Sequence, residues 1–186
     1  MRQARPLSDW LARLALIATM TALTSGAAAA EELAEHWEIL GTFTVTLDEE
    51  ETRLYAVRNT DTGDATLSRD NYSGAQVIQV TGVKPNDDGE PGVPILTATL
   101  GPYLGELPEE VSIDLREADR VLMANIDSET SATLNAVSLD DEGNLSFVFE
   151  AELAVMTPTA DGAFEPAAGA VPTMVTGSFE GRLPHP

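Results

Sequence analysis

Apolar and polar side chains alternate along most of the chain beyond residue 40, and a period of two marks half-buried strands rather than helices. In residues 42–48, TFTVTLD, the apolar Phe43, Val45 and Leu47 interleave with Thr42, Thr44 and Thr46. Strand patterns recur at 52–59 (TRLYAVRN), 75–83 (AQVIQVTGV) and 95–100 (ILTATL). They are separated by turn-forming runs, DEEE at 48–51 and KPNDDGEPGVP at 84–94, whose Asn, Asp, Gly and Pro favour reversals of the chain.

Residues 108–124, PEEVSIDLREADRVLMA, fit two periods. Val111, Leu115, Ala118 and Leu122 suit a helix, whereas Val111, Ile113 and Leu115 suit a strand. The β-branched residues of the first half favour two short strands joined by READR, with a single helical turn as the alternative.

Two clearer strands, 132–139 (ATLNAVSL) and 144–156 (NLSFVFEAELAVM), flank DDEG, a hairpin turn with glycine where φ must be positive. In the second of them Leu145, Phe147, Phe149, Ala151 and Leu153 share one face. The last strand, 175–183 (VTGSFEGRL), puts Val175, Gly177, Phe179, Gly181 and Leu183 on one side. Glycines at that spacing admit another backbone or a large side chain. Between these strands, 157–173 is rich in Pro, Ala and Gly, a composition that predicts a loop without order of its own.

About nine strands with turns every ten to fifteen residues predict an all-β fold, an antiparallel β-sandwich with a closed β-barrel as the alternative.

The first thirty residues read differently. Arg2, Arg5 and Arg13 precede an apolar run from Leu14 to Leu23, and Ala28 and Ala30 supply small residues before Glu31. This is the pattern of a secretory signal helix cleaved after residue 30. It predicts one β-rich domain, 31–186, delivered to the periplasm or the medium of a bacterium without a stable membrane anchor. The chain has no cysteine, so disulfides and lipid attachment through cysteine are excluded.

Loss of residues 1–30 removes three of the ten basic and one of the 31 acidic residues, leaving seven against 30 and a net charge of −23 over 156 residues. That charge excludes nucleic acid and anionic membrane surfaces as partners.

Catalytic chemistry is sparse. A serine triad or a histidine metal site needs a positioned imidazole, and the only histidines, His36 and His185, lie near the ends of the mature chain, where fraying is common. Carboxylate pairs such as Glu150 and Glu152 are the remaining catalytic option. Tyr55, Tyr72 and Tyr103 are available to line a pocket.

The acids also raise calcium. NTDTGDATLSRD, 59–70, carries Asn59, Asp61, Asp64 and Asp70 around Gly63. The helix-loop-helix calcium pattern needs oxygens at positions 1, 3, 5, 9 and 12 and glycine at 6. Counting from Asn59 puts Gly63 at position 5 and Leu67 at position 9; counting from Arg58 puts a cation first. A turn at TDTG, with Asp61 capping its own backbone, therefore fits better and would join 53–59 to 64–69 as a hairpin. The metal candidates that remain are Asp61 and Asp64, assisted by Asp87 and Asp88, with Glu90 nearby in sequence.

These features predict an exported, acidic, non-catalytic β-domain of the bacterial envelope that binds an envelope protein or a small ligand and carries no cofactor. The alternatives are a barrel that carries a small apolar ligand and a calcium-stabilised domain.

Overall fold

The computed structural model describes residues 32–104, 107–124 and 130–184. The predicted signal segment and His185 lie outside them. Among the described residues all the secondary structure is strand: β1 (Trp37–Leu47), β2 (Glu50–Asn59), β3 (Leu67–Tyr72), β4 (Ala75–Pro85), β5 (Pro91–Tyr103), β6 (Val111–Arg116), β7 (Val121–Ala124), β8 (Ala132–Leu139), β9 (Asn144–Pro158), β10 (Phe164–Pro166) and β11 (Thr173–Arg182). The ambiguous 108–124 segment resolves as the two short strands β6 and β7, turned through a bond from the Glu117 N–H to the Arg120 carbonyl.

The eleven strands form one antiparallel sheet, where the sequence pattern favours two facing sheets. Pairing runs β9-β11-β1-β2-β4-β5-β6-β7, and β7 pairs again with β9, so the hydrogen bonds make a ring. One link is narrow: β2 meets β4 at the single pair Tyr55 and Val83. There β3 takes over the edge of β4, from Leu67 opposite Val80 to Tyr72 opposite Ala75. At the other side, β8 pairs with β9 beyond β7.

Two local expectations change. Residues 53–59 and 64–69 do not form a hairpin with each other; they share one bridge, Arg58 with Ala65, and β3 pairs with β4 instead. The reason is local. Thr66 takes the Val57 N–H on its hydroxyl and donates its own N–H to the Val57 carbonyl, while its carbonyl accepts the Thr81 N–H, so the chain crosses from β2 to β4 at that residue. The Pro/Ala/Gly segment also has structure, because β10 pairs with the end of β9 and Thr159 and Ala163 close the turn between them.

The core follows from register. Phe43, Phe179 and Phe147 are opposite one another on β1, β11 and β9, all at most 2% exposed. Ring centroids are 4.8 Å apart for Phe43 and Phe179 and 5.3 Å for Phe179 and Phe147. Two residues along, on the same face, Gly41 and Gly181 lie on one side of this row, and Gly177, beside Phe149, lies on the other. A Cβ at Gly181 would come within 2.5 Å of the Phe179 ring and 2.8 Å of the Gly41 Cα, and one at Gly177 within 2.6 Å of the Phe149 ring. The glycines of the last strand thus do what their spacing predicts. They leave room for aromatic rings that a Cβ would displace.

Gly177→Ala should therefore destabilise the domain by about 1–3 kcal/mol through overpacking. Chemical denaturation of the single variants and of Gly177→Ala/Phe149→Leu should reveal a coupling of at least about 0.5 kcal/mol, because leucine vacates the space that the new methyl needs. Strict additivity would show that the methyl is accommodated elsewhere.

Candidate functional site

The acids singled out in the sequence occupy two turns, and in both an asparagine does the capping. Asn59 Oδ1 accepts the N–H groups of Asp61 and Thr62 at 2.9 and 3.0 Å. The Gly63 N–H donates to the Asn59 carbonyl at 2.8 Å with φ of 83°. Asp61 therefore does not cap the turn, and Asp64 Oδ2 accepts the Thr62 hydroxyl at 2.7 Å. In the second turn Asn86 Oδ1 accepts the N–H groups of Asp88 and Glu90, both at 2.9 Å. Asn is suited to this because its carboxamide mimics a backbone turn.

Asp61, Asp64, Asp87 and Asp88 are all exposed. Among the described residues no three His, Asp or Glu side chains gather in a way that could hold a metal ion. Glu90 is engaged elsewhere: one oxygen accepts the Trp37 indole N–H at 3.0 Å and the other lies 3.2 Å from His36 Nε2. With bonds from the Ala34 N–H to the Gly89 carbonyl and from the Thr60 N–H to the His36 carbonyl, this clasp ties the chain ahead of β1 to both turns. His36 is thus held rather than frayed, but as a fastening. Glu150 and Glu152 are exposed on β9, opposite Thr176 and Met174 of β11.

A groove of about 940 Å³ is built from parts that sequence spacing does not connect: the start of β3, the β8–β9 turn and the end of β11. Its apolar lining is Leu67, Leu139 and Leu183, and its polar lining includes Asp64, Arg69 and the run Asp140–Glu142. Leu67 is fully buried and Leu183 nearly so, whereas Asp64, Asp141 and Glu142 are exposed.

The turn on its edge is firmly made. Asp140 Oδ1 accepts the N–H groups of Glu142 and Asn144, and Oδ2 accepts the Asn144 side-chain amide at 2.8 Å. These bonds, led by the Asn144 side chain, hold the Asp140 carboxyl below its ordinary pKa. Gly143 takes φ of 84°, as the hairpin reading requires, and its carbonyl accepts the Leu183 N–H at 2.9 Å. Asp140 is therefore committed to the turn, while Asp141 and Glu142 keep their carboxylates toward solvent.

Asp114 is a different kind of residue. It occupies the middle of β6, opposite Thr97 on β5 and Met123 on β7, and its Oδ1 is buried without a hydrogen-bond partner. Burial raises its pKa, with Arg116 acting in the opposite direction. The sequence pattern accounts for it only as a polar alternate of a strand.

The chain matches no protein-family model, no curated protein and no solved structure.

Because burial raises the folded-state pKa of Asp114 above its unfolded value, ionisation opposes folding. Its effect on stability is most favourable below the unfolded pKa and is lost as pH rises through the folded one. Asp114→Asn should raise stability at pH 7 by about 1 kcal/mol, because the amide brings no charge to desolvate. Denaturation curves should show that advantage shrinking toward pH 3, where the wild-type carboxyl is protonated. An advantage independent of pH would point to packing rather than charge.

Proposed function

We propose that this chain is an exported, acidic, non-catalytic β-domain of a bacterial envelope that works by binding at its outer surface. On this reading the ring of eight strands is a closed barrel whose interior is filled with side chains. The support comes from Phe43, Phe147, Phe149 and Phe179, none more than 2% exposed. Packing of that kind disfavours transport of an apolar ligand inside the barrel, since a carrier needs a cavity that its own side chains leave open.

The observation that carries the proposal is the groove of about 940 Å³ between β3 and the β8–β9 turn, near the upper end of the roughly 300–1,000 Å³ typical of binding sites. The half-buried Leu139 offers apolar area, and the exposed carboxylates of Asp64, Asp141 and Glu142 favour cations. The partner this suits is a segment of another envelope protein in which basic and apolar residues alternate. Such a segment packs an apolar side chain on Leu139 and sets its charges against the acids. The mature charge of −23 adds attraction at longer range.

Two outcomes follow. Protein recovered from the periplasm or medium should begin at Glu31 by mass spectrometry; an intact residue 1 would contradict export with cleavage. A labelled decapeptide of alternating lysine and leucine should bind in fluorescence anisotropy, and Asp141→Lys/Glu142→Lys should weaken it by roughly tenfold or more, the loss of about 1.4 kcal/mol. Equal weakening by Asp87→Lys/Asp88→Lys would show attraction to the net charge alone and would dismiss the groove. Turnover abolished by replacing Glu150 and Glu152 would dismiss the non-catalytic reading.

A further inference from the structure

On the outer face of β2, β1 and β11 lies a depression of about 290 Å³ lined by Thr42, Thr44, Arg53, Tyr55, Ser178 and Glu180. It shares no lining residue with the larger groove. Its shape follows from side-chain length and register. Thr44 of β1 has Arg53 of β2 on one side and Ser178 of β11 on the other, and Thr42 has Tyr55 on one side and Glu180 on the other. Short hydroxyl residues thus form the floor, and long side chains rise from the strands to either side. With neighbouring strands about 4.8 Å apart, the flanking strands stand roughly 10 Å apart, the width of a small ring with hydrogen bonds at both edges.

Among the described residues none of the six side chains has a hydrogen bond or an ion pair within the protein. Arg53 shares this with Arg116, whereas Arg58 pairs with Glu38 and Arg120 pairs with Glu117. One cation, one carboxylate, one phenol and three hydroxyls therefore face a shared space with their bonding capacity unspent. A ligand of either net charge would be attracted by one of Arg53 and Glu180 and repelled by the other. A neutral polyol satisfies both, donating hydroxyls to the carboxylate and accepting from the guanidinium, while the Tyr55 ring offers a face to the C–H side of a sugar.

We infer that this depression is a binding site for a pyranose unit of a neutral glycan. Its volume falls at the small end of binding sites, the scale of one or two sugar rings. Its open top admits a unit within a longer chain. The polar floor supplies hydrogen bonds on one side only, so affinity is weak for a single ring and grows with repetition along a polymer.

Amide signals of the isotope-labelled exported protein, followed by NMR during titration with chitotetraose, maltotetraose and free L-alanine, test the site. One of the two tetrasaccharides is expected to shift Thr42, Thr44 and Ser178 saturably at millimolar concentration. Arg53→Ala and Glu180→Gln, both at exposed and unpaired positions, are expected to leave the melting temperature unchanged and to weaken that binding by roughly tenfold each, the loss of one charge-assisted hydrogen bond. The inference is overturned if neither tetrasaccharide shifts these signals, if both variants bind like the wild type, or if L-alanine produces the shifts and marks a site for zwitterions. The lysine–leucine peptide engages the other groove, so its failure to bind would leave these outcomes unaffected.

Discussion

The row of three phenylalanines across β1, β11 and β9 sets the terms for the rest of the fold. Phe43, Phe179 and Phe147 are in register, so their rings compete for one level of the interior. They fit because the inward positions next to them on β1 and β11 are glycines on one side, Gly41 and Gly181, and include Gly177 on the other. Gly82 on β4 makes the same allowance for Phe43, where a Cβ would fall 2.6 Å from the ring. Glycine weakens an isolated strand through backbone entropy. Here that cost is offset by burial of large aromatic area and by edge-to-face contacts such as that of Phe43 with Phe147, worth about 0.5–1.5 kcal/mol per pair beyond area. Because strand parity is fixed by this packing, Thr42, Thr44 and Ser178 are obliged to face outward. The polar floor on the outer face is the reverse side of the aromatic core.

Charge is managed by position. Thirty-one acids against ten bases would repel one another if concentrated, yet many of them sit in turns at the periphery. The backbone there is satisfied by short polar side chains, Asn59, Asn86 and Asp140. Arg120 lies 3.7 Å from Asp48 and pairs with Glu117; the Glu117 bond raises its already high pKa further. Half-exposed pairs near the surface contribute little each, so they tidy the surface rather than hold the fold. The interior carries the stability, and acids outside these bonds, such as Asp141 and Glu142, stay exposed to solvent.

Much of this was legible in the sequence because a strand writes its two faces in alternate letters. The inward faces of 144–156 and 175–183 are read without error, and the β-branched bias of 111–115 correctly separates β6 from a helix. Partner choice is less legible. Nothing in 64–72 says that β3 leaves β2 for β4, since that depends on Thr66 bonding to Val57 and Thr81 together. Closure of the pairing through Val121–Met123 against Ala154–Met156 likewise needs register between segments about thirty residues apart. The turn at 59–64 is legible as a turn, but its cap is not, because Asn59 and Asp61 are both competent and only backbone geometry chooses between them. The two grooves are less legible still: Leu139 and Leu183, or Arg53 and Glu180, meet only after the strands are ordered.

Asp114 sharpens the difference between residues the fold needs and residues it merely tolerates. Its neighbours across the sheet, Thr97 and Met123, are uncharged, and Thr97 has its own partner in Thr81 at 3.1 Å. A threonine at 114 would suit the strand better by propensity and would bring no charge to desolvate. Packing therefore gives no reason for a carboxylate there. By contrast, Arg53 and Glu180 are exposed and carry no desolvation cost, so a site made from them is compatible with full stability. A surface binding role can accordingly coexist with the rigid, filled interior, because the core constrains only the inward half of each strand and leaves the outward half free to carry chemistry.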